Sequence, residues 1–139
     1  MNQFYNHKSY IDLNESQKEA VKNLDGPLLV LSGAGTGKTR VLTARLANLL
    51  YSNTTKAWKI LAVTFTNKAA KEMRIRLESL IGPMANSVWL GTFHSIGARI
   101  LRENAELVGL NSNYTIITPD DQIRLLKQIM LDEDIDIKK

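Results

Sequence analysis

The sequence predicts an α/β fold, a parallel sheet flanked by helices. Two observations predict it. Short apolar runs alternate with segments of helical period, as in successive βαβ units. A glycine-rich run, Ser32-Gly33-Ala34-Gly35-Thr36-Gly37-Lys38-Thr39, also follows one apolar run and leads into one helical segment, the place where open α/β sheets present ligand-binding loops.

The elements follow in order. Asn14-Glu15-Ser16-Gln17 reads as a helix start, with Asn14 as cap and Gln17 three positions on. That helix runs to about Leu24, and Gly26-Pro27 ends it. Residues 28–32 are expected to form a buried strand. A helix from Lys38 to about Leu50 aligns Val41, Leu42, Leu46, Leu49 and Leu50 on one face. Residues 59–65 are continuously apolar in the middle, as a central parallel strand requires. Residues 67–81 read as a helix with Ala70, Met73, Leu77, Leu80 and Ile81 in line, stopped by Gly82-Pro83. A third short strand is expected over 87–91, then a helix from about Phe93 to Val108 that ends near Gly109. Residues 114–117 suggest one more short strand. Thr118, Pro119 and the early acids Asp120 and Asp121 open a last helix that reaches about Leu131. Apolar strands fade after Gly91, so a change of subdomain is expected there, dividing the chain into 1–91 and 92–139.

A chain of 139 residues can bury a real core. It has no apolar run of about 18 residues that would span a membrane, and residues 1–7 lack the basic and apolar regions of a signal peptide. The absence of cysteine excludes disulfides, thiolate zinc sites and cysteine nucleophiles, and suits a reducing cytoplasm. The net charge is +4 and unevenly spread. Lys56, Lys59, Lys68, Lys71, Arg74 and Arg76 face the single acid Glu72, whereas Asp132, Glu133, Asp134 and Asp136 reverse the sign near the C-terminus. A basic middle suits phosphate-backbone contacts; a solvated helix face gives the same pattern.

The glycine-rich run carries the chemistry. Glycines allow a tight turn whose N–H groups point inward around phosphate oxygens, and the following helix adds its unpaired N-terminal N–H groups. Lys38 supplies a flexible positive charge for β- and γ-phosphates, and Thr39 a hydroxyl for Mg²⁺. The run fits G-x-x-x-x-G-K-[ST] with Ser32 in place of the first glycine. A triphosphate bound here can be hydrolysed only where carboxylates position Mg²⁺ and water and cations stabilise developing charge. Asp120-Asp121 are better read as helix-start acids and Asp132 to Asp136 as a polar tail.

Four segments, in order and spacing, resemble the UvrD/PcrA/Rep-type superfamily 1 DNA helicases, over about Leu13 to the last helix. Leu13-Asn14-Glu15-Ser16-Gln17 is similar to the family's Q motif, which implies that Gln17 reads the adenine edge; the residues alone favour a capping-box glutamine. The loop from Ser32 to Thr39 is followed by Arg40, and the resemblance implies that Arg40 lies against the adenine ring; a helix-surface arginine is the plain alternative. Val63-Thr64-Phe65-Thr66-Asn67-Lys68-Ala69-Ala70 is similar to motif Ia, and Gly91-Thr92-Phe93-His94-Ser95 to motif Ib. The resemblance implies that Phe65, Thr66, Asn67, Thr92, Phe93 and His94 touch single-stranded DNA. For Phe65 and Phe93, core packing is the competing reading.

The resemblance further implies an incomplete RecA-like domain of the P-loop NTPase kind, followed by the start of a helical inserted subdomain. It implies ATP and Mg²⁺ as cofactors, single-stranded DNA or DNA junctions and the remainder of the helicase motor as partners, and 3′→5′ unwinding by a parent enzyme. The 139 residues alone are expected to be inactive in unwinding, and their open sheet edges to favour self-association. The alternatives are a non-catalytic nucleotide- or DNA-binding remnant or subunit, and the N-terminus of a nuclease-linked repair helicase. A phosphate-loop kinase fits the Thr-Phe-Thr-Asn and Gly-Thr-Phe-His segments poorly.

Overall fold

The computed structural model describes residues 3–33 and 35–135. Ala34 and Asp136 therefore lie outside the described residues. The chain divides into two compact units, one ending at Ala98 and one beginning at Arg99.

The first unit is built around two parallel strands, β1 (Leu61–Thr64) and β2 (Trp89–Thr92), in the register Leu61↔Trp89 to Thr64↔Thr92. They are joined by helix α4 (Asn67–Ile81) and a 3₁₀ stretch, Gly82–Ser87. The helix spans the residues its sequence predicts, because Thr66 caps it through Oγ1, 3.1 Å from Ala69 N, and Ala70, Met73, Leu77 and Leu80 all fall on its buried face. Helix α3 (Lys38–Tyr51) packs against α4, and α2 (Glu15–Lys22) packs against α3.

Two apolar clusters result. One joins Leu46 and Leu50 of α3 to Ala62, Leu90, Val88, Met73 and Leu77. The other joins Val41, Ala44 and Ala47 of α3 to Val21 and to an N-terminal segment. That segment, a 3₁₀ turn (Gln3–Asn6) and the short helix α1 (Lys8–Ile11), was not apparent from the sequence pattern. It is held by aromatic packing: Phe4 is buried, with its ring centroid 5.7 Å from Tyr51 and 5.9 Å from Tyr10. His7 caps α1 by accepting the Ser9 N–H.

Three polar side chains of α3 reach neighbouring backbone. Buried Asn48 donates to Val21 O at 2.9 Å, Arg45 to Asn23 O at 2.9 Å, and Tyr51 to Leu80 O at 3.0 Å. Val21 O and Asn23 O lie at the C-terminal end of α2, so these bonds satisfy carbonyls a helix end leaves orphaned and fix α2 on α3.

The strands differ from the sequence reading. Residues 28–32 form no strand, and Leu29 is 80% and Leu31 84% exposed. An apolar run becomes a strand only where another strand supplies ladder bonds, and the sheet of the described residues contains β1 and β2 alone. For the same reason β1 is shorter than 59–65 and half-covered: Leu61 is exposed while Ala62 and Thr64 are buried. Residues 114–117 likewise form no strand.

The expected long helix after β2 is divided. Helix α5 (Phe93–Glu103) ends near Asn104, and a 3₁₀ turn, Ala105–Val108, carries the chain to Gly109. Helix α6 (Pro119–Asp132) begins with a complete capping box between Thr118 and Asp121. Hydrogen bonds from the Thr118 hydroxyl and backbone N–H hold the Asp121 carboxyl below its ordinary range. Asp121 is thus a helix-start acid, as its position in the sequence implies. Every residue of α6 except Met130 is exposed, and Met130 is half-buried.

Candidate functional site

The glycine-rich run leads into the first turn of α3, which begins at Lys38. Gly35 and Gly37 take positive φ values of 76° and 90°, a region that favours glycine. Gly37 also serves as the N-terminal cap of α3 without a side chain. A Cβ at Gly37 would stand 3.3 Å from Gln17 Nε2. Gly37→Ala is therefore expected to cost about 1–2 kcal/mol through backbone strain, read as a lowered midpoint of urea unfolding.

Lys38 folds back over the loop. Its Nζ donates to Ser32 O at 3.0 Å and to Gly33 O at 2.7 Å, and Thr36 Oγ1 also donates to Gly33 O, at 2.8 Å. The ammonium thus lies inside the curve of the loop. Thr39, half-buried, follows in the first turn of α3.

Gln17 fills the capping role that the sequence allowed and also reaches the loop. Its Oε1 accepts the Asn14 N–H at 3.1 Å and its own N–H reaches Asn14 Oδ1 at 2.9 Å, a full capping box. Its Nε2 donates to Thr36 O at 3.1 Å. The start of α2 is thereby tied to the glycine-rich loop, and Asn14, Gln17, Ser32, Thr36 and Lys38 line a cavity of about 170 Å³ beside it. Arg40, one turn into α3, lies 3.5 Å from Asp12 Oδ2 and lines a larger cavity of about 380 Å³ together with Gly37, Thr43 and Arg76.

The other predicted residues gather at the C-terminal ends of the two strands. Because Thr64 pairs with Thr92, the next residues, Phe65 and Phe93, stand side by side. Their ring centroids are 5.8 Å apart and tilted by 52°. Phe65 is 91% exposed and Phe93 is 56% exposed, so neither is a core residue. Asn67 and His94 are exposed in the first turns of α4 and α5. Thr66 is exposed, but its hydroxyl is engaged in capping α4.

Thr92 is placed differently: it is buried, and its side chain shapes the turn. Thr92 Oγ1 and N both meet Ser95 Oγ, at 3.1 and 2.9 Å, and Thr92 Oγ1 accepts the Ser95 N–H at 3.1 Å. A Cβ on Gly91 would fall 2.5 Å from that same hydroxyl. Gly91 and Ser95 therefore let β2 pass into α5 without a loop. The Thr-x-x-Ser spacing was the available sequence signal for that reciprocal cap.

Among the described residues no group of three or more His, Asp or Glu side chains is placed to hold a metal ion, and no helix is long and apolar enough to cross a membrane.

Comparison with known proteins identifies the family. The family model of the UvrD/REP helicase N-terminal domain matches residues 13–139. The ATP-dependent DNA helicase PcrA of Bacillus subtilis (strain 168) is 50% identical over 127 residues, covering 91% of this chain and 17% of that protein. PcrA of Staphylococcus aureus (strain Mu50) is 48% identical over 139 residues, covering 100% of this chain and 18% of that protein. PcrA of Staphylococcus epidermidis is 50% identical over 128 residues. The chain spans less than a fifth of the length of these relatives. It belongs to the UvrD/REP helicase family and corresponds to that family's N-terminal domain.

Proposed function

We infer that this chain supplies the ATP-binding loop and part of the single-stranded-DNA face of an ATP-dependent DNA helicase that moves 3′→5′. The observation that carries the reading is the exposed Phe65–Phe93 pair at the ends of two parallel strands, in the same unit as a phosphate loop closed by its own lysine. Residues up to Gly91 form part of a RecA-like motor domain, and residues 92–139 open a helical inserted subdomain.

The loop suits a triphosphate. Lys38 Nζ already lies against loop carbonyls, where an anion would replace them as its partner, and the N–H groups of the loop and the α3 N-terminus add donors. Gln17 and Arg40 flank this loop, as an edge reader and a stacking plane for adenine require. Thr39 would offer Mg²⁺ one oxygen, with phosphates and water completing the shell. Bound MgATP supplies the phosphoanhydride whose cleavage drives a motor. The residues gathered at the loop bind and orient it, while the carboxylates that activate water come from other parts of the motor. These 139 residues alone are therefore read as holding ATP without turning it over.

At the strand ends, bases stack on the two phenyl rings while Asn67 and His94 meet phosphate or sugar. The uncovered residues 28–31 and the open strand edges fit a continuing motor polypeptide, and in its absence a second copy of the chain.

Phe65→Ala is expected to weaken binding of fluorescein-labelled oligothymidylate about tenfold, since base–aromatic stacking is worth about 1–3 kcal/mol. Fluorescence anisotropy measures it. Unchanged affinity in Phe65→Ala and Phe93→Ala alike would remove the nucleic-acid reading.

A further inference from the structure

The geometry points to Arg74 as the positioning residue that holds the two halves of the aromatic face together. The inference rests on the nucleic-acid reading of Phe65 and Phe93.

Arg74 lies among the basic residues of the middle segment, where charge alone marks it as a candidate phosphate contact. Its side chain is instead half-buried and turned inward. Nη2 donates to Leu90 O at 2.8 Å, and Nη1 reaches Ala85 O at 3.4 Å. Leu90 is in β2, one residue before Gly91. The Trp89 N–H bonds to Ile60 O, so by the alternation along a strand the Leu90 carbonyl faces away from β1. Arg74 thus occupies an acceptor that the two-stranded ladder leaves open.

The placement of the two partners gives the bond its consequence. Arg74 belongs to α4, the helix that starts at Asn67 directly after Phe65 and Thr66. Leu90 belongs to the strand that delivers Phe93 and His94. One guanidinium therefore ties the helix behind one half of the face to the strand behind the other. A planar fork can bond two carbonyls at fixed spacing, which a lysine ammonium cannot do with equal definition. Ring pairs are sensitive to such spacing, so loosening this tie separates Phe65 from Phe93 while leaving both side chains present.

The test uses the whole chain and fluorescein-labelled oligothymidylate, with anisotropy titrations between about 50 and 200 mM salt. Arg74→Met is expected to weaken binding about tenfold, the loss of one charge-assisted hydrogen bond, with the slope of log affinity against log salt unchanged. In a Phe93→Ala background the same substitution has little further effect, because Arg74 acts through the position of that ring. Arg74→Lys restores part of the affinity. A salt slope reduced by about 0.7 would identify Arg74 as a direct phosphate contact and overturn the role. So would unchanged affinity in Arg74→Met, or full additivity with Phe93→Ala, where Phe93→Ala alone weakens binding. If neither phenylalanine variant affects binding, the nucleic-acid reading falls and this role with it. Far-UV circular dichroism checks the fold. If Arg74→Met loses helix signal, the same criteria apply to Arg74→Lys, which keeps stem and charge but not the fork.

Discussion

Lys38→Ala is expected to weaken binding of ATP·Mg²⁺ to this chain about a hundredfold, the largest single effect on ligand binding. The ammonium lies within 3.0 Å of Ser32 O and Gly33 O, at the centre of the loop. A charge-assisted contact to phosphate is worth about 1.5–3 kcal/mol, and every 1.4 kcal/mol or so is tenfold in affinity. Removal of Lys38 also leaves those two carbonyls without their cation, so the empty loop loses an internal brace. Titration with a fluorescent ATP analogue measures the affinity, and circular dichroism confirms that the helices persist. An affinity within about threefold of the original would show that the phosphates lie elsewhere.

The largest effect on stability is expected at Leu77. Its side chain is fully buried, at 0% exposure, in the cluster shared by α3, α4 and both strands. Leu77→Ala removes apolar contacts and leaves a cavity that the helix backbone cannot close, at a cost of about 2–5 kcal/mol. Small domains are stable by only about 5–15 kcal/mol in all, so urea unfolding should begin in conditions where the original chain is fully folded. A change below about 1 kcal/mol would mean that this cluster repacks freely and is no true core.

The sequence made α4 legible to the residue because local signals and burial agree there: an apolar stripe of helical spacing and a Gly82-Pro83 stop. Capping residues at their starts made α2 and α6 legible as well, α6 without any buried face. Residues 28–32 misled because strand formation is a property of neighbours; their apolar pattern describes a strand, but no ladder partner stands beside them among the described residues. Phe4 escaped notice because its partners, Tyr10 and Tyr51, come together only when α1 and α3 pack. At the site, motif spacing located the loop and both aromatic residues. The family motif did not indicate that Thr92 would turn inward, which only the Thr-x-x-Ser spacing signalled, or that Arg74 would serve a strand carbonyl in place of solvent. Those assignments depend on which way a side chain points once tertiary contacts form.

The parallel pairing of β1 with β2 sets the order in which this unit can be assembled. Parallel strands cannot be joined by a tight turn, so all of α4 and the 3₁₀ stretch must be traversed before Leu61 meets Trp89. Closing that loop costs chain entropy before any ladder bond repays it, whereas the capping box of α2 forms between residues three apart. The Phe65–Phe93 pair depends entirely on the later event. Its two rings stand as far apart in sequence as the paired strand residues before them, so the surface they form arises with tertiary closure and disappears with it, even while the helices on either side remain wound.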